Sequence, residues 1–329
     1  MKAYTKEEAT ERINQLAAAG KEFAFIINYK QDCSYIEEPD NIDPTEWLYN
    51  LNGFTNYREA VKPTPSRENI LWQSYPNSFS AYQQSFNIVR KNILVGNSFL
   101  VNLTCSTPVS TNLNLKEIFY QSKALYKLWL KDRFVCFSPE IFVRISRGQI
   151  YAYPMKGTID ATLPKAKEQL MNDVKEAAEH ATITDLIRND LSIVAEQVEV
   201  LRYRYVDRLQ TNRGSILQTS SEIKGKLPYD YLLYLGNILF KLLPAGSITG
   251  APKLKTIEII AEAEEHERSF YTGIMGYFDG KSIDSSVMIR FIEQRNNRLF
   301  FKSGGGITSQ SNVNSEYQEM IQKVYVPIY

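Results

Sequence analysis

The chain has 329 residues, 43% hydrophobic and 23% charged, which suits one large core or two poorly separable lobes of an enzyme-sized globular protein. Lys and Arg number 38 against 37 Asp and Glu, a net charge of +1, so there is no electrostatic case for a nucleic-acid partner, although a local anion site is compatible with that balance. Cys33, Cys105 and Cys136 show no CxxC pairing, no apolar run approaches membrane-spanning length, and residues 1–20 are charged rather than an apolar signal core. These features exclude a disulfide scaffold and point to a cytoplasmic protein with no membrane partner.

Residues 5–18 read as a helix with Thr5 at its cap and Glu8 in the reciprocal position. Residues 23–29 read as a buried strand. Residues 33–67 are rich in polar and turn types and include Pro39, Pro44, Pro63 and Pro65. A loose boundary falls at 69–76, setting a short N-terminal portion, 1–75, packed on a catalytic domain, 76–329. Tyr35, Trp47 and Trp72 read as packing aromatics. Beyond them the patterning gives a helix over 79–94, a strand over 99–104 after Gly96, a helix over 115–130 and a strand over 134–137.

Residues 141–146 and 149–153 read as a β-hairpin turning at Arg147-Gly148. Antiparallel pairing would return Glu140 towards Lys156, which ends the second strand just before the permissive Gly157. Residues 165–188 read as one long helix, followed by strands over 198–209 and 215–223 and helices over 230–243 and 253–265. Short strands over 273–278, 286–292 and 299–301 lead to a last helix over 314–323. The class is mixed α/β or α+β, without repeats or coiled coil.

Several groups bear on chemistry. Glu176 and Glu179 share a helix face at three-residue spacing, and so do Glu316 and Glu319. If the two faces met across a cleft they would offer oxygen ligands suited to Mg²⁺; read alone, each is equally a solvated helix face. His180 and His266 are too few for a zinc centre, and His180 suits a hydrogen-bonding role. Residues 246–253, GSITGAPK, lead into a helix whose first amides can hold an anion, but the P-loop pattern is absent. Gly304, Gly305 and Gly306 offer a backbone surface free of side chains, and either glycine-containing element is also compatible with a plain turn. Arg290 and Lys323 can complement a carboxylated substrate or simply lie on the surface. Lys156, if buried and neutral, is a nucleophile, although nearby carboxylates oppose that state. Glu140, with its pKa raised, can protonate a leaving hydroxyl.

Taken together, SPEIF (138–142), PMKGT (154–158), AEHATITDLIRNDL (178–191), GSITGAPK (246–253) and GGGITSQSNVNSEYQE (304–319) resemble the chorismate-utilising enzymes over residues 82–323. The resemblance implies an α+β fold, a large α/β sandwich with two facing antiparallel sheets and outer helices. Lysine in PMKGT is similar to the aminodeoxychorismate synthase component I branch, whereas the anthranilate and isochorismate synthase branches usually carry alanine there. The resemblance then implies Glu140 as general acid for loss of the C4 hydroxyl and Lys156 as nucleophile at ring C2, displaced when ammonia attacks C4. It implies Mg²⁺ on the ring carboxylate, with Glu179 and Glu319 as preferred ligands and Glu176 and Glu316 as direct or water-mediated ones. Thr158, Gln218, Thr249, Tyr271, Arg290, Gly305, Gly306 and Lys323 fall at substrate-contact positions. Gln218 replaces a histidine that assists aromatisation in anthranilate-forming relatives. No LLES motif for bound tryptophan and no G-C-x-G-x-Q glutaminase segment occurs. The implied partners are chorismate, ammonia, a separate glutamine amidotransferase subunit and a downstream pyridoxal-phosphate aminodeoxychorismate lyase, on the way to folate. Anthranilate synthase component I and a catalytically silent partner-binding homologue are the alternatives.

Overall fold

The Thr5 hydroxyl accepts from the Glu8 N–H at 3.3 Å while the Glu8 carboxylate accepts from the Thr5 N–H at 3.0 Å, so helix α1 (Lys6–Ala18) opens with the expected reciprocal cap. The computed structural model describes residues 1–57, 70–211 and 214–326. Pro63, Pro65 and Asn69, which belong to the polar stretch and boundary drawn above, lie outside them. The chain continues through β1 (Phe23–Ile27), β2 (Ser34–Glu37), β3 (Trp47–Leu51), β4 (Phe54–Thr55) and β5 (Trp72–Ser74) to α2 (Phe79–Leu94) and β6 (Leu100–Thr111). Helix α3 (Leu115–Gln121) leads into β7 (Tyr126–Leu130), β8 (Phe134–Ser138), β9 (Ile141–Ser146), β10 (Gln149–Ala152) and β11 (Met155–Asp160). Helices α4 (Ala166–Asn172) and α5 (Val174–Ser192) precede the long hairpin β12 (Glu196–Thr211) and β13 (Gly214–Lys226). Then come α6 (Leu235–Leu242), β14 (Gly250–Ala251), α7 (Lys253–Ala263), β15 (Ile274–Phe278), β16 (Ile283–Val287), β17 (Phe291–Arg295), β18 (Arg298–Ile307) and α8 (Val313–Gln322).

Among the described residues the strands form two antiparallel sheets of nine strands each. The first runs β11-β13-β10-β9-β16-β15-β1-β2, with β12 also on β13; the second runs β14-β6-β18-β17-β8-β7-β3-β4, with β5 also on β6. Period-two alternation decides what each face meets. Phe23, Phe25 and Ile27 of β1 pack under α1 and α6, while Ala24 and Ile26 face Trp47, Tyr49, Tyr126 and Leu128 of the opposite sheet. The far side of the second sheet is covered by α3, through Ile118 and Phe119, and by α2, α7 and α8, through Phe86, Ile259 and Met320. The result is helix, sheet, sheet, helix: the α+β sandwich that the resemblance implies. Tyr35 and Trp47 are buried in the core between the sheets, and Trp72 packs beside Phe301.

The expected hairpin turns at Arg147 and Gly148, both with positive φ (52° and 71°), the backbone that matches the twist of its strands. Four expectations need correction. Residues 115–130 are not one helix: α3 stops at Gln121, and β7 follows with all five residues buried. Its two faces are both buried, Lys127 included, which hides the strand period. Lys156 does not end the hairpin's second strand. It lies on a separate strand, β11, which pairs with β13 and is bulged between Lys156 and Thr158, where Gly157 takes φ +75°. Residues 165–188 are broken at Asp173, whose extended backbone ends α4 and whose carboxylate caps α5 at the Glu176 N–H, 2.9 Å away. Residues 286–292 are likewise not one strand, because the chain leaves the first sheet after Val287 and enters the second at Phe291. In addition, residues Tyr231–Ile248 are long and apolar enough to span a membrane, contrary to the composition reading. Two-thirds of that stretch is buried inside the protein, where α6 packs on α1 and β1.

Candidate active site

Two connections cross between the sheets side by side: residues 139–140 join β8 to β9, and residues 288–290 join β16 to β17. They are tied together. The Val287 N–H and the Ser286 hydroxyl both donate to the Glu140 carbonyl, at 3.1 and 2.7 Å, and the Phe137 N–H donates to the Arg290 carbonyl at 3.1 Å. The Glu140 N–H is held by Ser138 Oγ at 3.1 Å. The backbone under Glu140 and Arg290 is thus fixed from both sheets, and the space between the crossings is left for side chains. Burial pushes the Glu140 carboxyl above the usual range, opposed by a hydrogen bond from Ser247 and by the charges of Arg290, Lys156 and Lys323. A shift in that direction favours the protonated acid.

Lys156 reaches this space from β11. The Thr219 hydroxyl donates to its carbonyl, and behind it lies the fully buried ring of His180, with Nε2 2.7 Å from Ser221 Oγ and Nδ1 3.4 Å from Thr219 Oγ1. Burial, then the Arg204 charge, hold His180 down to about 4. The ring is therefore neutral and structural, in line with the hydrogen-bonding role read from the sequence. The Lys156 ammonium is paired with Glu179 at 3.0 Å. Its hydrogen-bonded partner is this helix carboxylate rather than Glu140.

Glycines set the approach of the charged groups. A β-carbon on Gly157 would stand 2.9 Å from Glu176 Oε2, so only glycine lets that carboxylate lie over the bulge. On β18, a β-carbon on Gly306 would stand 3.5 Å from Lys156 Nζ and 3.0 Å from Leu100. At Gly305 it would face Glu316, Glu319 and Lys323 at 3.6–3.8 Å. The three glycines form no turn: they run in register against Thr104, Leu103 and Asn102 of β6. Lys323 Nζ bridges the Gly304 carbonyl (2.8 Å) and Glu319 (2.7 Å).

The two glutamate pairs do meet. Burial raises the Glu176 carboxyl, and the charge of Glu179 adds to it. Burial also raises Glu316, against a bond from Ser311, with Glu319 and, from the other helix, Glu179 adding to the rise. Glu319 is the exception: burial is outweighed by Lys323, Lys156 and Lys175, which hold it low. Among the described residues no three acidic, histidine or cysteine side chains converge as a ready-made cation cage. Magnesium does not need one, since one or two carboxylates suffice when waters and substrate oxygens complete its shell. Like-charged, partly buried carboxylates from two helices are a donor set that a hard divalent cation relieves, so these residues fit Mg²⁺.

Between the crossings, β11, β13 and β18 lies a cavity of about 270 Å³. Its lining includes Glu140, Lys156, Gln218, Thr249, Tyr271, Arg290, Gly305, Gly306 and Lys323. Thr158 is exposed and outside the lining, paired across the strands with Gln218. The four glutamates stand at the rim, behind Lys156 and Gly305. Residues not singled out from the sequence also line it, notably Ser247, Asn102 and Asp190. Ser247 and Asp190 were inside quoted motifs, GSITGAPK and RNDL, and that membership was the available signal.

Comparison with known proteins agrees with this geometry. Residues 3–328 match the chorismate binding enzyme family. The chain is 48% identical over 324 residues to a protein named as an uncharacterized PabA-like protein of Haemophilus influenzae, covering 98% of each. It is 32% identical over 320 residues to aminodeoxychorismate synthase component 1 of Salmonella typhimurium, covering 92% of this chain and 67% of that one. The structure of MenF, the menaquinone-specific isochorismate synthase of Escherichia coli, shares the fold with a TM-score of 0.76 at 18% identity, over 98% of this chain and 82% of that one. With its sandwich, its motif-lined cavity and a match along nearly its whole length, the chain belongs to the chorismate-binding enzyme family, among the component I enzymes that act on chorismate.

Proposed function

We propose that this enzyme aminates chorismate at C4 and stops before aromatisation, releasing 4-amino-4-deoxychorismate. The observation that carries the reading is that Glu140, its carboxyl raised by desolvation, and the amine of Lys156 line one cavity. The relationship to a Salmonella protein named aminodeoxychorismate synthase component 1 supports it.

Glu140 gives its proton to the C4 hydroxyl, and the C4–O bond breaks with loss of water. Lys156, freed from Glu179 and with one ammonium proton given up to solvent, forms a C–N bond at C2, and the ring double bonds shift towards C4. Ammonia then bonds to C4, the double bonds return, and the C2–N bond breaks, restoring the lysine amine. The net reaction is chorismate plus ammonia to 4-amino-4-deoxychorismate plus water. Arg290 and Lys323 supply positive charge for the substrate carboxylates, Thr249 and Tyr271 supply hydroxyls, and Gly305 and Gly306 let the ring lie against the backbone. Thr158 joins this set only from its exposed place beside Gln218. Glu179 and Glu319, with Glu176 and Glu316 directly or through water, would hold Mg²⁺, whose chemistry is to neutralise and orient the ring carboxylate. Gln218 has no titratable proton to move, which suits a reaction that ends before pyruvate elimination.

Ammonia comes from a separate glutamine amidotransferase subunit, and a separate pyridoxal-phosphate lyase completes 4-aminobenzoate for folate. Three free cysteines suit the cytoplasm. Incubation with chorismate, Mg²⁺ and ¹⁵N-ammonia, followed by mass spectrometry, should show labelled 4-amino-4-deoxychorismate. Anthranilate or isochorismate as the sole product rejects the assignment. No turnover by folded protein, with ammonia or a matched glutaminase, indicates a silent partner-binding homologue.

A further inference from the structure

We propose that Ser247 is a positioning residue for Glu140, selecting which carboxyl oxygen carries the proton and steadying the carboxylate left after its transfer. The inference rests on the reading of Glu140 as general acid. The Ser247 hydroxyl donates to Glu140 Oε1 at 2.5 Å, and both residues line the cavity. An oxygen that accepts this bond is a poor place for the acidic proton, because two hydrogens would then compete for the same contact. The proton therefore sits on Oε2. When it passes to the departing hydroxyl, Glu140 becomes a carboxylate in a buried site, and the same serine hydrogen remains on Oε1 as a charge-assisted donor.

The rest of the loop is built to keep that hydroxyl in place. Ser247 sits in the short turn Gly246–Ile248. The turn's start is held to α5: the Gly246 N–H bonds to Asp190, and a β-carbon on Gly246 would stand 2.6 Å from Asp190 Oδ2. Lys253, at the loop's end, pairs with the same carboxylate at 2.8 Å and donates to the Leu242 carbonyl at 3.1 Å. In the middle, the Ile248 carbonyl accepts from Asn102 Nδ2 at 3.0 Å and from Arg268 Nη1 at 2.8 Å. The Thr249 hydroxyl donates to the Ala245 carbonyl at 2.8 Å. Glu140 is equally fixed, by its backbone bonds to Ser138, Ser286 and Val287. The contact thus joins two anchored elements, as positioning requires.

A donor to the ionised form favours that form. Of the groups that face Glu140, Ser247, Arg290, Lys156 and Lys323 all act in this direction against burial. Removing the hydroxyl should raise the midpoint of Glu140. The test is a ¹³C carboxyl NMR titration of glutamate-labelled protein, with the Glu140 signal assigned by its loss in Glu140→Gln. Ser247→Ala should move the midpoint up by about one pH unit, the size expected for one hydrogen bond to a charged group. Ser247→Thr, which keeps the hydroxyl, should restore it. Ser247→Cys, a weaker donor, should give a smaller rise and serves if the alanine variant does not fold. In turnover assays the limb on which activity falls with rising pH should move with the midpoint, with kcat reduced and KM little changed. An unchanged midpoint in folded Ser247→Ala or Ser247→Cys overturns the inference. The titration needs no turnover, so absence of chorismate turnover in the wild type counts against the functional reading separately.

Discussion

Glutamate appears in two settings around one cavity, and the settings give it opposite uses. Glu140 is anchored by its backbone at a sheet crossing and bonded by Ser247, and desolvation raises its carboxyl, which favours the protonated form. Glu176, Glu179, Glu316 and Glu319 stand together at the rim, on two helices, interleaved with Lys156, Lys175 and Lys323. There burial and neighbouring carboxylates raise Glu176 and Glu316, while Lys323, Lys156 and Lys175 hold Glu319 low against burial. Residue type alone decides neither use. Desolvation raises the carboxyl at Glu140 and at two of the rim glutamates alike, whereas only the rim sets carboxylates from two helices beside one another, where a divalent cation can relieve their repulsion.

The largest expected effect tests the first setting. Glu140→Gln keeps the size and a neutral hydrogen-bonding group but has no proton to give. If Glu140 acts as a neutral acid, kcat should fall by about 10³-fold with KM little changed, within the usual range for general acid catalysis. A large rise in KM with kcat preserved would make Glu140 a binding group instead. The second setting is tested by Glu179→Gln and Glu319→Gln. Each removes one charged oxygen, and the Mg²⁺ concentration for half-maximal activity should rise by at least roughly tenfold. Unchanged metal dependence in both folded variants breaks the proposed contrast between rim and interior, while losses confined to Glu176→Gln and Glu316→Gln shift the ligand role within the rim.

A smaller effect separates acid sensitivity of the fold from acid sensitivity of the site. His266, off the cavity and 3.1 Å from Thr104 Oγ1, is held down to about 4, by burial first. In the unfolded chain a histidine takes its proton near 6.5. The unfolded state therefore binds more protons between those values, and stability present above about pH 6.5 is lost as pH falls towards about 4. Urea unfolding should show this slope, to which His180, also held down to about 4, adds a like share, so His266→Gln should roughly halve it without moving the pH profile set by Glu140. An equal slope in that variant would place the acid sensitivity elsewhere.

Much of this was legible from short-range chemistry. The Thr5–Glu8 cap and the Arg147-Gly148 turn depend on a few adjacent residues, and both formed as read. Of the residues the spaced motifs pointed to, Glu140, Lys156, Gln218, Thr249, Tyr271, Arg290, Gly305, Gly306 and Lys323 line one cavity, whereas Thr158 and the four glutamates stand outside its lining. What was not legible depends on the other layer of the sandwich. β7 looked helical because its faces are buried against two different layers, one in the core between the sheets and one under α3. The break at residues 288–290 marks a change of sheet, which no local pattern records. Lys156 could be placed near Glu140 but not opposite Glu179, because that pairing needs α5 laid across β11 over Gly157. Ser247 was visible inside a motif, yet its use required knowing which carboxyl stood across the cavity.

The central claim is that an acid and an amine lining one cavity act on the same ring. The most direct measurement is peptide mass spectrometry of enzyme quenched within milliseconds of mixing with chorismate and Mg²⁺, before ammonia is added. A chorismate-derived adduct lacking the C4 hydroxyl should be found on Lys156, should disappear when ammonia is supplied, and should be absent in Glu140→Gln and in Lys156→Ala. Normal 4-amino-4-deoxychorismate formation by folded Lys156→Ala and Lys156→Met, with no adduct in the wild type, would contradict the covalent role of the lysine.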